Sequence, residues 1–127
     1  MLYLVYTNNM WKTFGSYIKK KREKLRVNDS SYSQRQVALR IKVEPSYLSQ
    51  VERGNQAPPS ERTIVALAKD LNEDPDVLLA LAGKVSSDLQ KVIRKRPELF
   101  AQLIRELKNM PNNAVLKLVR EVRDGKW

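Results

Sequence analysis

The sequence predicts an all-α chain. Apolar residues recur at three- and four-residue intervals from residue 14 almost to the end. Helix start and stop signals divide that pattern into segments, with Ser, Asp or Pro opening them and Gly closing several. Gly is scarce, at 4 of 127 residues, and charged residues reach 30%. That balance suits an ordered, soluble helical protein better than a disordered one. The length allows one domain, or one domain with an extension.

The segment 1–13 is the least defined. Its opening Leu2-Tyr3-Leu4-Val5-Tyr6 is apolar but too short to span a membrane, and no Lys or Arg precedes it. It reads either as a short strand, pairing with another copy, or as a loose tail. From Phe14 to about Arg26, Phe14, Tyr17, Ile18 and Leu25 hold helical spacing. Residues 27–31 are a polar loop. Ser33 suits an N-cap, and Val37, Ala38 and Ile41 share the face that follows. Residues 42–44 break the pattern. Pro45 opens a short helix that keeps Leu48 and Val51 on one side and stops at Gly54.

Asn55 to Pro59 is a loop, and Ser60 caps a helix carrying Ile64, Leu67, Ala68 and Leu71. Asp74-Pro75 starts the next, with Val77, Leu78 and Leu81 pointing inward and Gly83 as its stop. Three more apolar stripes follow: Leu89, Val92 and Ile93; then Phe100, Leu103, Ile104 and Leu107 after Pro97; then Val115, Leu118, Val119 and Val122 after Pro111. The boundary between the two sets falls near Gly83–Lys84.

Composition narrows the function. The chain has no Cys and no His, which excludes disulfides, Cys/His metal sites, thiol catalysis and His-based acid–base catalysis. With no phosphate loop and no paired-carboxylate motif either, no enzyme, cofactor or metal is expected. The net charge of +10 favours a polyanionic partner, nucleic acid first and an anionic membrane surface second. Charge is also segregated. Residues 10–60 sum to +7, residues 61–83 to −3 and residues 84–127 to +6. An acidic segment between two basic ones fits a basic face backed by one that points elsewhere. The run Lys19-Lys20-Lys21-Arg22-Glu23-Lys24-Leu25-Arg26 is either a solvated helix face or a means of phosphate neutralisation.

The two short helices joined by a tight turn at 33–53 are the main constellation. A DNA major groove is about 12 Å wide and admits one helix. A protein must hold that helix by its back and leave its front polar. Leu48 and Val51 would be the back, with Ser46, Tyr47, Ser49, Gln50 and Arg53 in front. Gln bonds adenine through N6 and N7. An ordinary amphipathic helix with a polar surface carries the same pattern.

Ser33-Gln34-Arg35-Gln36-Val37-Ala38, then Pro45-Ser46-Tyr47-Leu48-Ser49-Gln50-Val51-Glu52-Arg53-Gly54, resembles the Cro/repressor (XRE-like) helix-turn-helix family. Pro59-Ser60 and Leu67-Ala68-Lys69-Asp70-Leu71 extend the likeness, which covers roughly residues 14–83. It implies a five-helix, lambda-repressor-like DNA-binding domain at 14–83, followed by about three C-terminal helices at 84–127. It further implies a cytoplasmic transcriptional regulator, a repressor that binds double-stranded DNA at an inverted-repeat operator as a homodimer. The alternative readings are an antitoxin or phage-immunity DNA-binding component, or a protein-interaction adaptor on a repressor-like fold.

The resemblance assigns roles residue by residue. Ser46, Tyr47, Ser49 and Gln50 would read bases. Gln34 and Arg35 at the start of one helix, and Arg53 and Asn55 at the end of the next, would bind phosphate. Arg22 and Glu52 stand where the family pairs its first and third helices. The sequence departs from the family at Lys42, where Gly is usual, so either Lys42 takes a positive φ or the turn differs. Glu44 replaces a Ser or Thr cap, Pro45 removes a polar side chain, and the 27–32 loop is long. That loop is either a surface insertion or a reach toward DNA backbone. The extension at 84–127 would serve dimerisation or bind a partner protein, and the acidic 61–83 segment is a second candidate dimer surface.

Overall fold

The computed structural model describes residues 2–125, with side chains from residue 9 onward. All of its regular elements are helical. They are α1 (Leu2–Arg26), a 3-10 turn at Ser30–Tyr32, α2 (Gln34–Ile41), α3 (Pro45–Glu52), α4 (Glu61–Asp70), α5 (Pro75–Leu81), α6 (Ser87–Lys95), α7 (Pro97–Leu107) and α8 (Asn112–Arg123). The chain divides into two compact units, Met1–Ser86 and Ser87–Trp127, slightly beyond the expected Gly83–Lys84 boundary.

The first unit closes one core. Phe14 and Ile18 from α1, Val37, Ala38 and Ile41 from α2, and Leu48 and Val51 from α3 meet Ile64, Leu67, Ala68 and Leu71 of the α4 region and Leu78, Leu79 and Ala82 of the α5 region. The stripes expected of α2, α3 and α4 are buried. In α1 Phe14 and Ile18 are buried, but Leu25 is half-buried and Tyr17 is exposed at the helix edge, where its hydroxyl bonds Glu73. In α5 the inner face is turned from the expected one. Leu78, Leu79 and Ala82 face inward, whereas Val77 is exposed and Leu81 only half-buried. Val77–Ala82 is apolar all round, so periodicity could not select its inner face.

The start of the chain also differs from expectation. Residues 2–13 are neither strand nor tail but the first half of α1. No breaker interrupts them, so the helix from Phe14 continues backward, and strand-like local composition yields to it. Gly15 lies within this helix because α1 crosses the end of α3 there. A Cβ on Gly15 would stand 2.2 Å from the Val51 carbonyl oxygen and 2.7 Å from that of Glu52.

Caps set the remaining boundaries. The Ser33 hydroxyl accepts from the Gln36 N–H at 3.2 Å, and the Asp74 carboxylate from the Asp76 N–H at 2.9 Å. Ser60 occupies the N-cap of α4 but makes no side-chain bond to its backbone; its hydroxyl donates instead to Thr63 Oγ1 at 3.4 Å. Lys42 resolves the question of the turn. It adopts φ 62°, ψ 45°, the left-handed conformation that glycine takes more cheaply, and its N–H bonds back to α2.

The second unit holds α6, α7 and α8, and none of these helices has a buried residue. Among the described residues, no helix is long and apolar enough to cross a membrane.

Candidate nucleic-acid interface

The α2–turn–α3 arrangement is built from its back. Leu48 and Val51 anchor α3 in the core, and Val43 in the turn packs against the same cluster. The Val43 N–H bonds the Ala38 carbonyl at 3.0 Å, which fixes the end of α2 relative to the start of α3. Pro45 takes the first helical position, where a missing N–H costs nothing. Glu44 precedes it as N-cap but supplies no side-chain cap.

Behind α3 lies a buried polar network. Arg22 of α1 forks onto Glu52, with Nε to Oε2 at 2.6 Å and Nη2 to Oε1 at 2.9 Å. Both side chains are almost wholly enclosed, at 4% and 1% exposure. The remaining Arg22 nitrogen donates to the Tyr32 carbonyl at 3.1 Å. Glu52 Oε1 also accepts from Gln34 Nε2 at 2.8 Å. The cluster therefore ties α1, α2, α3 and the 3-10 turn together. Among the described residues no buried side-chain polar atom lacks a partner. An isolated charge here would be costly, so the fork and the extra donors are what make the burial tolerable.

The Gln34–Glu52 bond revises one sequence expectation. Gln34 is expected to grip phosphate at the start of α2, and its side-chain amide instead donates inward to Glu52. What it leaves facing outward is a half-buried edge at the N-terminus of α2. Beside it, Arg35 is exposed. At the far end of α3, Arg53 and Asn55 are exposed, and the Asn55 N–H bonds the Gln50 carbonyl at 2.9 Å. Gly54 between them has φ 75°, and a Cβ there would press on Lys12 at 2.7 Å. The loop must turn sharply against α1 at that point.

The outer face of α3 is less uniform than its sequence suggests. Ser46 is exposed, while Ser49 and Gln50 are half-buried and sit one turn further along. Tyr47 does not stand free. Its ring packs against the core, and burial pushes its phenol pKa up. A tyrosine is amphipathic and can serve a core edge as readily as a surface, which a helical wheel cannot resolve.

The charged runs are partly consumed within the fold. In residues 19–26, Arg22 is interior and Lys21 pairs with Glu73 at 3.4 Å, leaving Lys19, Lys20, Lys24 and Arg26 exposed. Tyr17 also donates to Glu73, at 3.0 Å; that bond, with some burial, holds its phenol above the usual value. Arg40 forks onto Asp70 at 2.6 and 3.0 Å and lies over the Tyr32 ring at 5.1 Å. Asp29 caps the 3-10 turn by accepting from the Ser31 N–H at 2.9 Å, and these bonds hold its carboxyl below the usual range. The long 27–32 loop is thus an ordered turn on α1 and α2. Two acids of the 61–83 segment, Asp70 and Glu73, neutralise basic residues of this same unit.

This geometry is a helix gripped from behind, with a small polar front and with exposed Arg35 and Arg53 near its C-terminal end. A helix-turn-helix family model matches residues 18–78. That segment is an XRE-like helix-turn-helix domain. Searches of curated proteins and of solved structures found no match. In this domain α2 and α3 are the paired helices, and α3 is the one that carries the polar front.

Proposed function

We propose that this chain is a sequence-specific regulator of transcription, a cytoplasmic repressor that binds an inverted repeat in double-stranded DNA as a dimer. The carrying observation is α3. Leu48, Val51 and Glu52 hold its back, while Ser46, Ser49 and Gln50 form a donor–acceptor front of the kind that matches base edges. Tyr47 borders this front and would touch a base or sugar with its outer edge only. Arg35, Arg53 and Asn55 would bind phosphate and set the register. Gln34 would join them through the N–H groups at the start of α2 more than through its side-chain amide. The net charge of +10 supplies the sequence-independent attraction.

The direct test is Gln50→Ala, measured by fluorescence anisotropy on a selected site and on random DNA. The expected loss is about 1–3 kcal/mol on the selected site with little change on random DNA. An equal loss on both would remove base reading from Gln50.

A further inference from the structure

The basic residues of α1 fall on two flanks of the helix that meet different neighbours. On one flank, Tyr17 and Lys21 reach Glu73, in the turn between α4 and α5. On the other, Gly15 lies against the Val51 and Glu52 carbonyls and Arg22 forks onto Glu52, so this flank borders the end of α3. At about 100° per residue, Lys12 and Lys19 fall on the α3 flank, and Lys24 on the flank of Tyr17 and Lys21.

At Lys12 the chain leaving α3 crosses directly over α1. A Cβ on Gly54 would stand 2.7 Å from Lys12 Cγ, 2.8 Å from its Cα and 3.1 Å from its backbone N. The absent Cβ leaves the slot in which the Lys12 stem lies. Arg53 and Asn55 flank Gly54, and both are exposed. Consecutive Cα atoms are about 3.8 Å apart, so the Lys12 backbone stands within roughly 8 Å of theirs. Lys12 and Lys19 are themselves exposed, and no carboxylate pairs with either among the described residues. No Asp or Glu precedes Glu23 in the chain. Two unpaired ammonium groups therefore add to the positive charge of Arg53 at one end of the helix proposed to enter the groove.

We propose that Lys12 and Lys19 make α1 a second phosphate-binding edge, gripping DNA phosphates beside those met by Arg53 and Asn55. Lys12 stands before the helix-turn-helix segment at residues 18–78, so the backward extension of α1 enlarges the contact. The edge carries affinity and register, not sequence choice. It rests on the reading of α3 as the helix that enters the groove, and it adds contacts that neither α2 nor α3 supplies.

The test is the salt dependence of DNA binding by the full-length chain, read by fluorescence anisotropy on the selected site and on random duplex. Each phosphate contact contributes about 0.9 to the steepness of log affinity against log salt. Lys12→Ala should reduce that steepness by about one on both DNAs, so the affinity lost between about 50 and 200 mM salt becomes about 3.5-fold smaller. Lys12→Ala combined with Lys19→Ala should reduce it by about two. Lys12→Arg should keep the unaltered slope, and the thermal midpoint should hold in every variant, because these side chains are exposed. Lys24→Ala removes the same charge from the other flank and should leave the slope nearly unchanged. Equal slope changes for Lys12→Ala and Lys24→Ala would show a general charge effect and overturn the edge. An unchanged slope for Lys12→Ala, while Gln50→Ala still lowers affinity for the selected site alone, overturns the edge and leaves the groove reading standing. A chain that binds no duplex DNA at either salt overturns both.

Discussion

The two units of this chain are built from similar amphipathic helices and reach opposite outcomes. In the first, fourteen apolar residues are buried among the described residues, and the interior charges are paired. In the second, three helices with equally clear stripes bury nothing completely. The difference is one of closure. Helices α1–α5 surround a common point, and one glycine, Gly15, lets two of them approach to backbone contact. Helices α6–α8 leave their apolar faces partly exposed. Amphipathicity alone therefore specifies a helix with an inner face, and the number and order of helices decide whether that face finds its cover in the same chain.

The contrast can be tested by substitution. The largest effect is expected in the buried network. Arg22→Ala strands Glu52 and should cost about 3–5 kcal/mol in urea unfolding, whereas Arg22→Met with Glu52→Leu should recover much of that loss. If the single variant costs under about 1 kcal/mol, the network is not the clasp described here. Phe14→Ala should cost about 3–5 kcal/mol. Phe100→Ala, at a half-buried position of α7, should cost clearly less, because less of its ring leaves water on folding. Equal losses at Phe14 and Phe100 would erase the distinction between the units.

Smaller effects probe the DNA face of the first unit. Arg53→Ala should lower the slope of log affinity against log salt by about one and weaken all sequences alike. A loss confined to one sequence would make Arg53 a base reader. Lys42→Gly should stabilise the domain by roughly 0.5–1 kcal/mol, since the left-handed backbone at Lys42 is the one glycine adopts without strain. Destabilisation there, read from the thermal midpoint, would mean that the Lys42 side chain contributes a contact larger than the strain.

Much of the first unit is legible in the sequence because its signals agree. Ser33, Asp74-Pro75 and Gly83 mark ends, and the stripes of α1–α4 each have a polar opposite face that leaves one orientation. Where signals are degenerate, the sequence is silent. The run Val77–Ala82 has no polar side to exclude, so the burial of Leu79 over Val77 is decided by what α5 packs against. Residues 2–6 have strand-like composition, and only continuity with the helix from Phe14 overrides it. Arg22 and Glu52 lie thirty residues apart, and the family resemblance, not spacing, paired them. The Gln34–Glu52 bond had no sequence signal: Gln34 lies at a helix start where an outward amide is equally reasonable, and the lone pair that captures it belongs to a carboxylate eighteen residues away. Tyr47 was assigned to the surface by its place on the wheel, and its ring found the core edge instead.

The polar front of α3, proposed to read bases, thus shrinks to Ser46, Ser49 and Gln50, with an edge of Tyr47. A front this small would discriminate modestly at one half-site, which is why the proposed function has two copies combine to select a site. Selection of bound DNA from a random duplex pool by the full-length chain tests this directly. The account predicts a two-fold symmetric motif whose half-sites are centred about 34 Å apart, one turn of the duplex or a multiple of it. Enrichment of no motif, or of a single unrepeated half-site, would contradict it.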